Sequence, residues 1–288
     1  MAMDLSKARH GREARFREVV IYEVDDPVAT ITLDRPATLN ALTFPMLAEF
    51  REAVDAAARD PRVVGIVVTG SGRGFCSGLD ASVLQATATA GSSTRPKSDG
   101  AGSDVPGLFT WLLRVPKPVI SAVNGVAAGG GFVLAAMSDI RIASSAAAFT
   151  TIFSKRGLIA EHGMTWIVPR LIGTGAALDL LWSSRKIDAA EALRIGLVQQ
   201  VVEPDDLLAA ARRYVVELAD NVSPASLADT KRLVYEGYGV QYPAALDEID
   251  VVQYAALDRV DAKEGAAALI DKRAARFPRL GDGDGGDG

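Results

Sequence analysis

The chain has 288 residues, of which 49% are hydrophobic and 23% charged, a balance that excludes disordered and collagen-like chains. The formal net charge is −5, so the composition favours neither a nucleic acid nor an anionic membrane as partner. One cysteine and two histidines exclude an intramolecular disulfide and a cysteine/histidine zinc cluster, so no metal is expected. The N-terminal residues lack the apolar core of a signal peptide, and no apolar stretch could span a membrane, so we expect a cytoplasmic protein.

The first part of the chain predicts two strands and a helix. Residues 1–16 are polar and basic and are expected to form a flexible arm. Residues 19–24 and 28–33 are rich in β-branched side chains and flank Asp25-Asp26-Pro27, a pattern typical of a hairpin. Residues 43–59 carry apolar side chains at helical spacing, with Thr43 as the predicted N-cap.

Three short apolar runs follow, at 63–69, 119–123 and 140–143, and they indicate strands that are buried on both faces. A helix is predicted over 132–137. Strands that alternate with helices predict a largely parallel α/β sheet with right-handed crossovers. Residues 86–107 are rich in glycine, serine, threonine and proline, and they are predicted to form a mobile surface loop or lid.

The chain after residue 163 is predicted to be mostly helical, with one strand at 197–202. The predicted helices cover 174–182, a segment capped by Asp188, 205–220, 223–235 and 242–276. We therefore divide the chain into a core over 17–200 and a helical region over 201–277. Residues 278–288, like the N-terminal arm, are expected to be flexible.

Two of the buried strands run into glycine-rich turns. The first turn is GSGRGFCSG at 70–78, and the second is NGVAAGGG at 124–131. Because the carboxyl ends of parallel strands line one crevice, backbone N–H groups near Gly78 and Gly130 are expected to converge on one point. Glycine permits the close approach and the positive φ angles that such turns need. Two converging N–H donors predict an oxyanion hole.

Other interpretations of the first turn find less support. Phe75 stands where a dinucleotide-binding fingerprint requires glycine or alanine, and no Gly-Lys-Ser/Thr follows the turn. Cys76 and Ser77 lie outside any Gly-x-Ser-x-Gly motif, so no catalytic triad is indicated. On residue chemistry alone, a purely structural role for both turns stays open.

Three sequence blocks resemble the signatures of the crotonase (enoyl-CoA hydratase/isomerase) superfamily. They are DRPATLNAL at 34–42, GSGRGFCSGLD at 70–80 and KPVISAVNGVAAGGG at 117–131, and the match spans about residues 17–277. The resemblance implies an α/β fold built as a spiral of ββα units, with a C-terminal helical region for trimerisation. It also implies homotrimers or hexamers and acyl-CoA thioester substrates. No separate cofactor is expected, because coenzyme A is part of the substrate.

The resemblance assigns roles to particular residues. It places the oxyanion donors at the backbone N–H groups of Leu79 and Gly130. Hydratases of the family carry two glutamates where this chain has Val133 and Phe153, so water addition by two glutamates is not expected. Glu161 lies in a segment similar to the one that carries the catalytic acid in 3-enoyl-CoA isomerases, and it is the candidate base.

Further residues are implied to contact the substrate. The coenzyme A contacts are expected at Leu39, Ala41, Cys76, Gly78 and, on the C-terminal helix of the same or a neighbouring subunit, Lys272. The same resemblance puts Asp80 beside the first donor, where we expect it to cap the following helix. Val133, Phe153 and Ile159 are expected to line the acyl pocket and exclude water from Glu161. His162 is expected to be structural.

The favoured reaction is double-bond isomerisation of an enoyl-CoA, because one carboxylate can remove a proton at one carbon and return it at another. Two alternatives stay open. The protein could be an enoyl-CoA hydratase that uses Glu161 alone, or an acyl-CoA-binding homologue without activity. In the second case, Glu161 would be a solvated acid at the start of a helix.

Overall fold

The structure is a computed structural model that describes residues 13–16, 18–90 and 107–281. The strands in these residues are β1 (Glu13–Phe16), β2 (Val20–Asp25), β3 (Val28–Leu33), β4 (Gly65–Gly70), β5 (Gly74–Cys76), β6 (Val119–Val123), β7 (Val126–Ala128), β8 (Ile140–Ser144), β9 (Ala148–Thr150), β10 (Ile187–Asp188) and β11 (Gln200–Val202). The helices are α1 (Phe44–Arg59), α2 (Ala81–Ala90), α3 (Gly130–Ala136), α4 (Met164–Ile172), α5 (Thr174–Ser183), α6 (Ala189–Arg194), α7 (Leu207–Asn221), α8 (Pro224–Gly237), α9 (Tyr242–Leu257) and α10 (Val260–Asp271).

The strands form two sheets. The larger sheet has the order β1-β2-β3-β4-β6-β8-β11, antiparallel from β1 to β3 and parallel from β3 onward. The smaller sheet has the order β10-β9-β7-β5. In three successive units, a strand of the larger sheet is followed by a strand of the smaller sheet and then by a helix: β4-β5-α2, β6-β7-α3 and β8-β9-α4. The chain is therefore wound as repeated ββα units.

Several predicted elements are confirmed together with the side chains that begin them. The predicted hairpin is the antiparallel pair β2 and β3. Thr43 Oγ1 accepts the Met46 N–H at 3.4 Å and so caps α1, while Ser223 Oγ accepts the Ser226 N–H at 3.1 Å at the start of α8. Asp188 caps α6 because its Oδ1 accepts the Glu191 N–H at 2.8 Å. Short polar side chains thus start these helices, as such residues generally do.

Three predictions about segment boundaries are corrected. Glu13–Phe16, within the predicted arm, forms β1, because the edge of β2 is available for antiparallel pairing. Ala81–Ala90 is helical, so helix-forming alanine, leucine and glutamine override the predicted loop over 86–90. The predicted helix over 242–276 is divided into α9 and α10, because Arg259 has an extended backbone. Residues 1–12, 91–106 and 282–288, which include most of the predicted lid and the tail, lie outside the described residues.

Both faces of the larger sheet are covered, which explains why every residue of its central strands β4 and β6 is buried. The main core lies on the face toward α1 and α3. On the opposite face, a second cluster joins side chains of the sheet to those of α7: Val28, Val67, Ile120, Ile142, Leu207, Ala210, Ala211 and Val215. The packing of α7 is so close that a Cβ at Gly65 would lie 2.9 Å from a methyl carbon of Val215.

The two last helices are packed differently from the rest. No residue of α9 is buried, and Ala268 is the buried residue of α10. Large apolar side chains are exposed along them: Tyr242, Leu246, Ile249, Val251, Tyr254, Leu257, Val260, Leu269 and Ile270. A concentration of exposed apolar side chains is typical of an interaction surface. None of the helices in the described residues combines the length and the apolar character that crossing a membrane requires.

Candidate active site

The first glycine turn is held by a buried asparagine that the sequence analysis did not identify. Asn40 is fully buried and has a φ of 58°, a conformation that asparagine tolerates better than most residues. Its Oδ1 accepts the Arg35 N–H at 2.9 Å. Its Nδ2 donates to three carbonyl oxygens, at 3.0, 2.8 and 3.2 Å, those of Ser71, Gly74 and Phe75.

A second asparagine holds the same turn from the end of β6. Asn124 Oδ1 accepts the Gly70 N–H at 3.2 Å. Its Nδ2 donates to the carbonyl oxygens of Gly72 and Gly74 at 3.0 and 3.1 Å. The turn that leads to the predicted oxyanion hole is therefore fixed by two side-chain amides as well as by strand pairing.

We expect replacement of Asn40 by alanine to lower the free energy of unfolding by about 2–4 kcal/mol, because buried carbonyl groups lose their donors. Urea unfolding with an unchanged denaturant slope would measure this loss. Asn221→Ala is the matched control, since Asn221 is exposed and its Nδ2 donates to one carbonyl, that of Glu217. An Asn40→Ala protein as stable as this control would contradict the role assigned to Asn40.

The two glycine turns meet at Gly78 and Gly130. Gly78 has a φ of +95°, and a Cβ there would lie 2.8 Å from the Ala128 carbonyl oxygen and 3.2 Å from the Gly130 nitrogen. A Cβ at Gly130 would lie 3.5 Å from the Cα of Gly78. The predicted convergence of the turns is therefore observed, and it requires glycine at position 78.

Both predicted donors are left out of the local backbone pairing. The Leu42 N–H donates to the Gly78 carbonyl at 2.8 Å, and the Leu42 carbonyl accepts the Asp80 N–H at 2.9 Å. These two hydrogen bonds use the backbone groups on either side of Leu79 and do not involve the Leu79 N–H. The Gly130 N–H is the first amide of α3, a position that has no acceptor within its own helix. Among the described residues, the N–H groups of Leu79 and Gly130 therefore remain outside this backbone pairing.

A narrow cavity of about 40 Å³ lies at this meeting point. Its lining joins the two turns to the segment before α4: Ser77, Gly78, Leu79, Leu84, Leu108, Gly129, Gly130, Ile152, Phe153, Arg156, Leu158, Glu161 and His162. The structure therefore brings together five of the predicted site residues: Gly78, Leu79, Gly130, Phe153 and Glu161.

Glu161 lies at the end of the loop that precedes α4. Its carbonyl accepts the Met164 N–H at 3.1 Å, and Gly163, with a φ of 76°, is the N-cap of α4. The Glu161 side chain is 41% exposed, and its Oε2 lies 3.6 Å from Nε2 of His162. The carboxylate of Glu161 thus lies at the same cavity as Leu79 and Gly130.

Ile152 is a lining residue that the sequence did not indicate. It adopts a φ of 62°, which is rare for a β-branched side chain. Its Cγ2 would lie 3.1 Å from a Cβ at Gly129, so it packs against the second turn. Strained backbone of this kind is common at functional sites. No local sequence pattern signals it, because the conformation opposes the intrinsic preference of isoleucine.

The predicted apolar lining is corrected in part. Val133 is fully buried in the main core and is not among the residues that line the described cavity. Ile159 is 78% exposed, so it does not shield Glu161 from water. Phe153 does line the cavity. The remaining apolar lining comes from other residues, namely Leu84, Leu108, Ile152 and Leu158.

Asp80 caps α2, as expected from the sequence. Its Oδ1 accepts the Ser82 N–H at 3.1 Å, and its Oδ2 pairs with the Arg35 guanidinium at 3.1 Å. These hydrogen bonds, those from Ser82 first, hold the pKa of the Asp80 carboxyl below its usual value. Asp80 therefore stays ionised and fixes the backbone that follows Leu79.

The other predicted contacts do not line the cavity in the described residues. Leu39 has a φ of 53° and packs against Gly74, whereas Ala41 is buried and its carbonyl accepts from Arg35 at 2.6 Å. Cys76 is fully buried, and this burial raises the pKa of its thiol to about 12. Lys272 is exposed at the end of α10. Their contacts with a ligand stay predictions.

Comparison with known proteins agrees with this geometry. The model of the family described as enoyl-CoA hydratase/isomerase matches residues 23–279. The 1,2-epoxyphenylacetyl-CoA isomerase of Escherichia coli K12 is 34% identical over 264 residues, which cover 90% of this chain and 98% of that protein. The crotonyl-CoA hydratase of Syntrophomonas wolfei is 36% identical over 265 residues, with coverage of 90% and 98%.

Solved structures share the fold. The crystal structure of an enoyl-CoA hydratase from Polaromonas sp. JS666 superposes with a TM-score of 0.79 at 31% identity, covering 90% of this chain and 99% of that one. That of an enoyl-CoA hydratase from Geobacillus kaustophilus gives a TM-score of 0.77 at 33% identity, covering 90% and 97%. The predicted crotonase-like α/β fold is thereby confirmed. The chain belongs to the enoyl-CoA hydratase/isomerase family.

Proposed function

We propose that this protein isomerises an enoyl-CoA by moving a double bond through a thioester enolate. The observation that carries the proposal is the pairing of two free main-chain N–H groups, of Leu79 and Gly130, with one carboxylate, Glu161, in the same cavity. The positions at which hydratases of the family carry glutamates hold Val133 and Phe153. Isomerisation needs one carboxylate, and the cavity supplies one.

In the proposed reaction, the thioester oxygen accepts hydrogen bonds from the N–H groups of Leu79 and Gly130. The carboxylate of Glu161 removes a proton from C2, and the electrons of that C–H bond move onto the thioester oxygen as an enolate. The same carboxyl group then returns the proton to C4, and the double bond shifts from C3–C4 to C2–C3. The two N–H donors stabilise the negative charge where it develops.

The assembly and the coenzyme A contacts are part of the same proposal. The exposed apolar side chains of α9 and α10 support a homotrimer or hexamer. Lys272, exposed at the end of α10, and Arg156, at the rim of the cavity, are the cations that we assign to the coenzyme A phosphates. We propose a cytoplasmic enzyme that needs no cofactor besides the coenzyme A of its substrate.

One observation favours a second reaction, hydration of the double bond. The Glu161 side chain is 41% exposed, which leaves room for a water molecule beside it. The similar protein of Syntrophomonas wolfei is named a crotonyl-CoA hydratase. In that reaction Glu161 would activate water for attack at C3 and then protonate C2.

Assays with two substrates separate these reactions. We expect isomerisation of 3-hexenoyl-CoA to exceed hydration of crotonyl-CoA in kcat/KM by at least about tenfold, a difference of 1.4 kcal/mol in activation free energy. The absorbance of the conjugated thioester follows both reactions, in opposite directions. Hydration faster than isomerisation would contradict the isomerase assignment and support the hydratase assignment. Binding of both thioesters without turnover would indicate a homologue that lacks activity.

A further inference from the structure

The imidazole of His162 connects the carboxylate of Glu161 to the opposite wall of the cavity. Its Nδ1 accepts the backbone N–H of Leu108 at 3.2 Å. A ring nitrogen that accepts a hydrogen bond carries no proton, so the neutral imidazole carries its proton on Nε2. Nε2 lies 3.6 Å from Oε2 of Glu161. The N–H of the ring therefore faces the proposed catalytic base.

Burial favours the neutral form of the imidazole, which the hydrogen bond from the Leu108 N–H requires. Burial lowers the pKa of His162 below its usual value of 6.5, and the nearby Glu161 carboxylate opposes that effect in part. Arg156 is the other charged residue lining the cavity among the described residues, and the neighbouring segment 107–110 carries no ionisable side chain. At neutral pH the ring is uncharged and acts as a directional donor.

The backbone also holds His162 in one place. His162 has a φ of 54°, in the left-handed region. Leu108, to which the ring is bonded, lines the cavity, and its Cδ2 would lie 3.3 Å from a Cβ at Gly130. His162 thus joins the segment that carries Glu161 to the residue that packs on the second oxyanion donor.

We propose that His162 is a positioning residue, whose Nε2–H holds one oxygen of the Glu161 carboxylate and leaves the other oxygen directed at the substrate. This inference rests on the proposed role of Glu161 as the base. The separation of 3.6 Å is longer than a hydrogen bond, and contacts of this kind tighten when substrate binds. Among the described residues, His162 is the residue whose side-chain nitrogen lies within 4 Å of a Glu161 carboxylate oxygen.

Replacement by asparagine separates positioning from structural support. In His162→Asn, the amide oxygen occupies the place of Nδ1 and keeps the Leu108 N–H bonded, and asparagine tolerates a positive φ. The donor toward Glu161 is lost. We expect the melting temperature to be unchanged and kcat to fall about 10- to 100-fold, because a displaced carboxylate reacts poorly. A His162→Asn enzyme with the kcat of the wild type would overturn the proposal.

The pH profile supplies a second readout. Protonation of His162 would bring an Nδ1–H against the Leu108 N–H and break that hydrogen bond. Because the pKa of His162 is lowered from its usual value of 6.5, this loss of activity should begin on the acid side of that value. In His162→Asn the contribution disappears, and the acid limb becomes less steep. An acid limb of equal steepness in both proteins would contradict the role of the neutral ring.

Nitrogen NMR tests the pairing without any turnover. The chain has two histidines, and the spectrum of His162→Asn identifies the signals of His162 by their loss. We expect an unprotonated Nδ1 and a titration midpoint that moves to lower pH in Glu161→Gln, because the carboxylate raises the pKa of the ring. An unchanged midpoint overturns the pairing. A shifted midpoint in a protein without isomerase activity keeps the pairing and rejects the proposed reaction instead.

Discussion

Replacement of Gly78 by alanine is expected to reduce isomerase turnover about 100- to 1,000-fold, which corresponds to the loss of about 2.7–4 kcal/mol from one oxyanion donor. The added methyl group would lie 3.2 Å from the Gly130 nitrogen and 2.8 Å from the Ala128 carbonyl oxygen. Backbone atoms cannot move aside as a flexible side chain can. The second turn must therefore shift, and the Gly130 N–H no longer points at the thioester oxygen.

The experiment needs a control for backbone strain, because alanine at a positive φ lowers stability by itself. Gly196→Ala provides it: Gly196 has a φ of +81°, and the nearest atom to its Cβ position is the Leu171 carbonyl oxygen at 3.7 Å. Both variants should lose stability in thermal unfolding, and Gly78→Ala should lose more because its methyl group also meets backbone atoms. Only Gly78→Ala should lose turnover, and equal kcat values for the two variants would show that the turns do not form the oxyanion hole.

Glu161→Gln is expected to lower turnover about 100- to 10,000-fold, the range that positioned acids and bases contribute. Glutamine keeps the size of the side chain and removes its ability to take a proton. Because the interaction is made in the transition state, kcat and kcat/KM should fall by the same factor. Measured initial rates with 3-hexenoyl-CoA, together with titration of a saturated acyl-CoA, separate catalysis from binding.

The matched control is Glu203→Gln, an exposed glutamate after β11 that pairs with the Ser145 hydroxyl. It should turn over as the wild type does. If Glu161→Gln also retained full turnover, another group would have to move the proton, and the site described here would not be the reacting one. Loss of binding without loss of kcat would assign Glu161 to substrate recognition instead.

The sequence predicted those parts of the fold in which burial, close backbone contact or helix capping restricts the residue type. The runs that became β4 and β6 are almost wholly apolar because α7 covers one face of the larger sheet and the main core covers the other. The two glycine turns were recognisable because close backbone contact excludes a Cβ at Gly78. Helix starts at Thr43 and Ser223 were recognisable because a side-chain oxygen must accept the first free N–H groups.

The parts that sequence analysis missed depend on contacts between distant segments. Asn40 reaches carbonyl groups more than 30 positions away, and nothing in its neighbourhood in the sequence predicts them. His162 accepts a hydrogen bond from Leu108, which lies 54 positions away, and no local sequence pattern indicates this contact. The placement of Val133 in the core depends on the rotation of α3, which a short apolar helix does not encode. The strand β1 exists because β2 has a free edge.

The proposed separation of thioester polarisation from proton transfer in this cavity has an evolutionary consequence. In the proposed reaction, the groups that polarise the thioester are main-chain amides, which remain after any side-chain substitution that spares the glycines. The group that moves the proton is a single side chain. Substitution of that side chain can therefore change the reaction while the main-chain donors are retained. Two similar proteins, at 34% and 36% identity, are named an isomerase and a hydratase, as such a change of reaction would allow.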